Sequence, residues 1–138
     1  MAESVTNRGK YLLATVGANG LDWRMGVVTG TQTGIHSVDL NTVADLDAVT
    51  GVSIHTERLN LDAGVTVTED DANDRVSIDT GNATFAAAPG VTAQAVFYYH
   101  EGTGADSGRE LISVHSTGFP QPMDGGLVVT VTDAIRLT

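Results

Sequence analysis

The stretch Val91–His100, Val-Thr-Ala-Gln-Ala-Val-Phe-Tyr-Tyr-His, limits what this chain can fold into more than any other. At period two it separates into Val91, Ala93, Ala95, Phe97 and Tyr99 on one side and Thr92, Gln94, Val96, Tyr98 and His100 on the other. The first set is apolar apart from one phenol, and the second is mixed. Such a segment reads as a strand with one face in a core and the other half covered. It holds three of the six Phe and Tyr residues, so it offers more apolar surface per residue than any other stretch. Pro89-Gly90 punctuates its start and Glu101-Gly102-Thr103-Gly104 its end. The expectation is the middle strand of an antiparallel sandwich in a protein whose role is structural rather than catalytic.

The remaining segments agree with a β-rich body. Trp23–Val28 follows the Gly17-Ala18-Asn19-Gly20 turn as a strand, with Trp23, Met25 and Val27 on one face. Val52–Leu61 reads as one long strand with a bulge near Thr56. Val65–Thr68, Val76–Asp79, Thr84–Ala88, Arg109–Ser116, Leu127–Thr132 and Ile135–Thr138 complete about eight strands, at the spacing of sandwiches and jelly rolls. In Arg109–Ser116, Leu111 is set opposite Ile112 and Val114. Asn41–Val49 is the best helix, with Asn41 as its cap and Val43, Leu46 and Val49 recurring every three residues. Lys10–Val16 fits either a short helix capped by Thr6 or Asn7 or a strand. Residues 1–9 have no apolar period and are expected to form a loose, extended arm before a single domain of residues 10–138. The fold class expected is therefore all-β, a single-domain antiparallel β-sandwich or jelly roll with one short helix and an N-terminal arm.

Charge and composition exclude several functions. Seven Lys and Arg against seventeen Asp and Glu give a formal net charge of −10, which opposes binding to phosphate backbones and anionic membranes. No apolar run approaches the roughly 18–20 residues needed to cross a bilayer, and Met-Ala-Glu-Ser does not open like a signal peptide, so a soluble, unprocessed chain is expected. With no cysteine there is neither a disulfide framework nor a thiolate metal site. The cluster Glu69-Asp70-Asp71-Ala72-Asn73-Asp74 carries enough oxygens to suggest calcium, but Asx residues also build turns with their own backbone, with Arg75 offsetting charge. His36, His55, His100 and His115 show no metal-ligand spacing, no serine lies in a nucleophile elbow, and Glu101 and Glu110, at the two ends of one hairpin, are conceivable as a carboxylate pair with no further sign of catalysis. No catalytic, cofactor or metal residue is assigned.

Several stretches together resemble a family of small tailed-bacteriophage virion proteins, the head decoration or cement proteins. They are Val5-Thr6-Asn7-Arg8-Gly9-Lys10, Trp23 with Gly26-Val27-Val28-Thr29, Thr66 to Val76, Phe97-Tyr98-Tyr99, Arg109-Glu110-Leu111-Ile112 and Gly125-Gly126. The resemblance implies a sandwich or jelly roll whose copies cluster, often as trimers, on the outer surface of a capsid assembled in the host cytoplasm. Its implied partners are the major capsid protein and further copies of itself, with no nucleic acid and no membrane. A basic limb on an acidic body suits such contact, so Arg8, Lys10 and Tyr11 are the first candidates for the interface. Phe119, flanked by Pro120 and Pro122 in the turn Thr117–Gly126, is the next; it also suits a lid on the core. A tail or head–tail joining protein is the alternative within the same class. A carbohydrate- or receptor-binding sandwich would use Tyr98, Tyr99 and the acidic loop, and a hydrolase would need a constellation the chain does not display.

Overall fold

The structure, a computed structural model, describes residues 3–130 and 134–137. Its strands, in chain order, are β1 (Glu3–Val5), β2 (Trp23–Thr29), β3 (Ser53–Ile54), β4 (Leu59–Asn60), β5 (Thr66–Asp70), β6 (Arg75–Asp79), β7 (Ala83–Phe85), β8 (Thr92–His100), β9 (Glu110–His115), β10 (Gln121–Pro122), β11 (Leu127–Val129) and β12 (Ile135–Leu137). Two helices join them, α1 (Asn7–Thr15) and α2 (Val43–Asp47). All pairings are antiparallel. β8 is the middle of a seven-stranded sheet ordered β1-β9-β8-β2-β3, with β10 also on β8 and β4 also on β2. Two small sheets, β11-β7 and β12-β6-β5, complete the body. A β-rich fold with antiparallel sheets was expected and is present.

Both faces of β8 are buried, not one. Val96 and Tyr98 join Trp23, Met25 and Val27 in a core closed by Ile78, Phe85, Leu127 and Ile135 of the small sheets. Phe97 and Tyr99 lie in a second core with Val28 and Leu111, closed by Val43 and Leu46 of α2 and by Ile35 and Val52 beside it. Full burial of an aromatic or large aliphatic side chain is worth about 1.5–3 kcal/mol, so neither face can be left to water. The strict alternation expected across Val91–His100 fails at one point. The register with β2 skips Gln94, pairing Val28 with Ala95 and Thr29 with Ala93, and this bulge turns Ala93 onto the Val96 side. A second bulge, at Ile112 of β9, pairs Tyr98 with Ser113 and Tyr99 with Leu111. Leu111 and Val114 therefore share one core and Ile112 enters the other, correcting the facing expected for that strand.

Residues 3–9 are not a loose arm. β1 pairs with β9 in the register Glu3 to His115 through Val5 to Ser113, making it the edge of the main sheet. Thr6 is fully buried, and its hydroxyl accepts from the Gly9 N–H at 2.8 Å, capping α1, while donating to the Leu111 carbonyl at 2.5 Å. The Thr6 N–H donates to Ile112 O at 2.9 Å. The bulge in β9 thus presents two carbonyls to a residue that starts a helix. A polar segment without period still folds because its hydrogen bonds are made to a distant strand. Met1 and Ala2 lie outside the described residues.

Helix ends and breaks account for the other differences. α1 settles the ambiguity at Lys10–Val16 and stops at Val16, where Gly17 follows at a positive φ of 84° that favours glycine. α2 is capped by Thr42 rather than Asn41, because Thr42 and Asp45 form a reciprocal capping box. Among the described residues there are thus two α-helices where one short helix was expected. The long strand expected over Val52–Leu61 is two short ones, β3 and β4, laid end to end on β2 and separated where the bulge was placed. Among the described residues no helix is long and apolar enough to cross a membrane.

Gly9 gives a direct test of how α1 seats on β9. A Cβ at this position would fall well inside contact distance of the Ile112 carbonyl. In an exposed helix Gly→Ala normally stabilises by about 1 kcal/mol. Gly9→Ala should instead destabilise by about 1–3 kcal/mol in urea unfolding, because backbone must move to admit the methyl. A stabilised variant would mean that α1 does not lie against β9.

Candidate functional site

The four interface candidates fall into two places. Arg8, Lys10 and Tyr11 lie on α1, with Lys10 exposed and Tyr11 55% exposed. The Arg8 guanidinium stacks over the Tyr11 ring at 4.8 Å and is ion-paired with Glu110 of β9. A cation in the first turn opposes the helix macrodipole, and the Glu110 carboxylate compensates for it. Lys10 has no ion-pair partner among the described residues. Together they form an outward aromatic and basic surface on an acidic body. Phe119 lies apart from them, half-buried against the larger core, and fits the lid reading.

Charge is concentrated where the β8–β9 hairpin meets β2. Arg109 donates to Glu101 at 3.0 Å and to Asp106 at 2.8 Å; Arg58 reaches Asp106 at 3.4 Å; Arg24 reaches Asp62 at 3.2 Å and Glu101 at 3.6 Å. The Arg109 hydrogen bond holds the Glu101 carboxyl below its usual range. Burial pushes Asp106 up, but its Arg109 hydrogen bond and the Arg58 charge outweigh this and its pKa is lowered. Arg109 is raised in turn by both carboxylates. Glu101 and Glu110 therefore serve separate arginines and do not form a carboxylate pair. Three cations and three anions neutralise one another here. The Tyr99 hydroxyl and Arg109 Nε are buried beside this network without a hydrogen bond.

Sequence spacing gave no sign of a serine–histidine relay beside β1. Ser4 Oγ lies 3.1 Å from His36 Nδ1, and Ser116 Oγ lies 2.8 Å from His36 Nε2. Next to it Ser113 Oγ is 2.9 Å from His115 Nε2, and the His115 ring meets Tyr98 edge-on at 5.2 Å. A serine on a histidine nitrogen resembles half of a base-activated nucleophile. Here the second nitrogen meets a Ser4 hydroxyl rather than a carboxylate, a contact that does not stabilise the imidazolium such chemistry forms. What the relay does is tie β1, the loop at His36 and the end of β9 together. The partners lie 32 and 80 residues from His36 in the chain, which is why no local motif reveals them.

Other expected groups are placed as follows. Tyr98 and Tyr99 are almost fully buried, so they offer no stacking platform for a sugar. The Tyr98 hydroxyl accepts from Thr80 Oγ1 at 3.0 Å, and burial pushes its pKa up to about 12. The acidic loop is a hydrogen-bonded turn: Asn73 Nδ2 donates to Asp70 at 2.8 Å, Arg75 pairs with Asp70 at 2.9 Å, and Asp74 adopts the left-handed region at φ 48°. Those two partners, Asn73 first, lower the Asp70 pKa. Among the described residues no group of three or more His, Asp or Glu is arranged to hold a metal ion. No family model, curated protein or solved structure matches this chain.

The histidines predict an acid-sensitive fold. Burial lowers His115 to about 4 and lowers His36 from its usual value. His115 is thus neutral in the folded state down to about pH 4, and His36 shifts in the same direction, so the unfolded chain binds more protons as pH falls below the ordinary histidine pKa near 6.5. Stability should be fully present above about pH 6.5 and fall as pH drops toward 4, by about 3 kcal/mol from His115 alone. The lowered carboxylates add their own loss only at more acidic pH. Urea unfolding across this range checks it, and His115→Gln should flatten the pH 4–6.5 segment even if the variant is less stable throughout.

Proposed function

We propose that this chain is a virion structural protein of a tailed bacteriophage, a decoration or cement protein that binds the outer capsid surface and holds neighbouring capsomers together. In this reading the large sheet and the two small sheets enclosing the Trp23 core are the layers of a jelly-roll-like sandwich. The partner is the major capsid protein, with copies of the chain joined as homotrimers at the meeting points of capsomers. Neither nucleic acid nor membrane is engaged, and the body performs no catalysis.

The observation that carries this proposal is the outward face of α1. A half-exposed tyrosine with a guanidinium stacked on it has the composition of an interface anchor, and the exposed Lys10 beside it adds positive charge for an acidic partner. It projects from a chain of formal net charge −10 that is otherwise repelled by its own copies. The anchor stands on a helix pinned to the main sheet, so little ordering entropy is lost when it docks. Many such weak contacts on a lattice add through effective concentration.

The test adds purified protein to phage shells that lack it and follows co-pelleting. Saturable binding at fixed stoichiometry is expected. Lys10→Glu combined with Tyr11→Ser should weaken it about tenfold or more, while the loss of the Arg8–Tyr11 stacking costs only about 0.5–1 kcal/mol of stability, so the variant stays folded. Failure of the unaltered chain to pellet with shells refutes the reading, and equal binding by the double variant refutes the role of α1.

A further inference from the structure

A cleft on the opposite flank of α1 points to a second interaction surface, separate from the Arg8–Tyr11 face and independent of the capsid reading. Alternation along the β12-β6-β5 sheet places Val67, Val76, Ile78 and Leu137 on one face. Ile78 is buried and forms the floor, while Val67 and Leu137 remain 46% and 41% exposed. The facing wall is the end of α1, Leu13 and Val16, and the turn after it. Val16 is 52% exposed. Three of the six exposed large apolar side chains among the described residues thus converge on one cleft of about 420 Å³. Tyr11 and Leu13 are about 200° apart around the helix, so the two surfaces face different ways.

This cleft opens onto a second depression of about 420 Å³, sharing Val76 and Leu137 as a common wall and lined by Glu69, Asp71 and Asp74. Arg75 also lines it, but its guanidinium is committed to Asp70 at 2.9 Å. The three carboxylates have no cationic partner among the described residues. An apolar slot beside uncompensated negative charge selects an apolar side chain with a cation next to it. A second copy presenting the same face would set carboxylate against carboxylate between two bodies of formal charge −10. We propose that this cleft binds a short segment of a partner protein in which an apolar side chain is flanked by lysine or arginine.

The experiment titrates the full chain, followed by amide resonances, with blocked hexapeptides. One has a Leu-Leu centre between Lys pairs, one the same centre between Glu pairs, and one a Ser-Ser centre between Lys pairs. The Lys/Leu peptide should shift Val16, Val67 and Leu137 saturably, and the other two should bind about tenfold more weakly or less. Val67→Ser should weaken the Lys/Leu peptide through the apolar contact. Asp71→Asn with Asp74→Asn should weaken it and reduce its salt dependence, and Asn tolerates the left-handed backbone at Asp74. Well-dispersed spectra of these variants verify the fold. Shifts confined to other surfaces, equal binding of the Glu-flanked peptide, or unaltered binding by both variants would overturn the proposal. Concentration-dependent shifts of Val67 and Leu137 without peptide would overturn it in favour of a second copy.

Discussion

Phe97 and Tyr99 pack on one side of β8 and Val96 and Tyr98 on the other, and all four are buried. The central sheet therefore needs cover on both faces. The small sheets and α1 cover one, and α2 with the segments around Ile35 and Val52 covers the other. The bulges at Gln94 and Ile112 distribute side chains between the two cores. Gly26 on the adjoining strand sits against the Phe97 ring, which fills the space where a side chain would be. Packing at native density leaves little freedom at such a point.

Polar groups then close what the cores leave open. Thr6 satisfies the start of α1 and the bulged carbonyls of β9 together, and the His36 relay fixes the same edge from the other side. Just past the same end of β8, at Glu101, the arginine–carboxylate network ties the β8–β9 hairpin to β2 and to the chain around Arg58. Arg58 and Arg109 also lie over the aromatic rings of Phe97 and Tyr99, so that the charged end is continuous with the apolar core. Negative charge not used in these contacts is left at the surface, where the acidic β5–β6 turn is the densest example.

The surface features differ in how far the sequence reveals them. Arg8, Lys10 and Tyr11 stand together because they are neighbours on one helix, so their grouping is legible from order alone. Their setting is not: a basic segment that reads as a free limb is a helix bound to Ile112. Phe119 reads equally as anchor and lid, and only its packing against the larger core separates the two. The cleft beside Val16 is invisible locally, since Val16, Val67 and Leu137 come from three distant parts of the chain. The His36 relay is hidden for the same reason.

The sequence by itself determined the period-two strands, the Gly- and Asx-marked turns, the acidic balance and the capacity of Thr6 to cap a helix, because these depend on residues within a few positions of one another. Only the tertiary structure decided that β8 would be buried twice, that Glu3–Val5 would become a sheet edge, and which side chains would meet at the surface. Those outcomes rest on partners such as Thr6 and Leu111, 105 residues apart, whose meeting is set by the competition of all segments for a finite core.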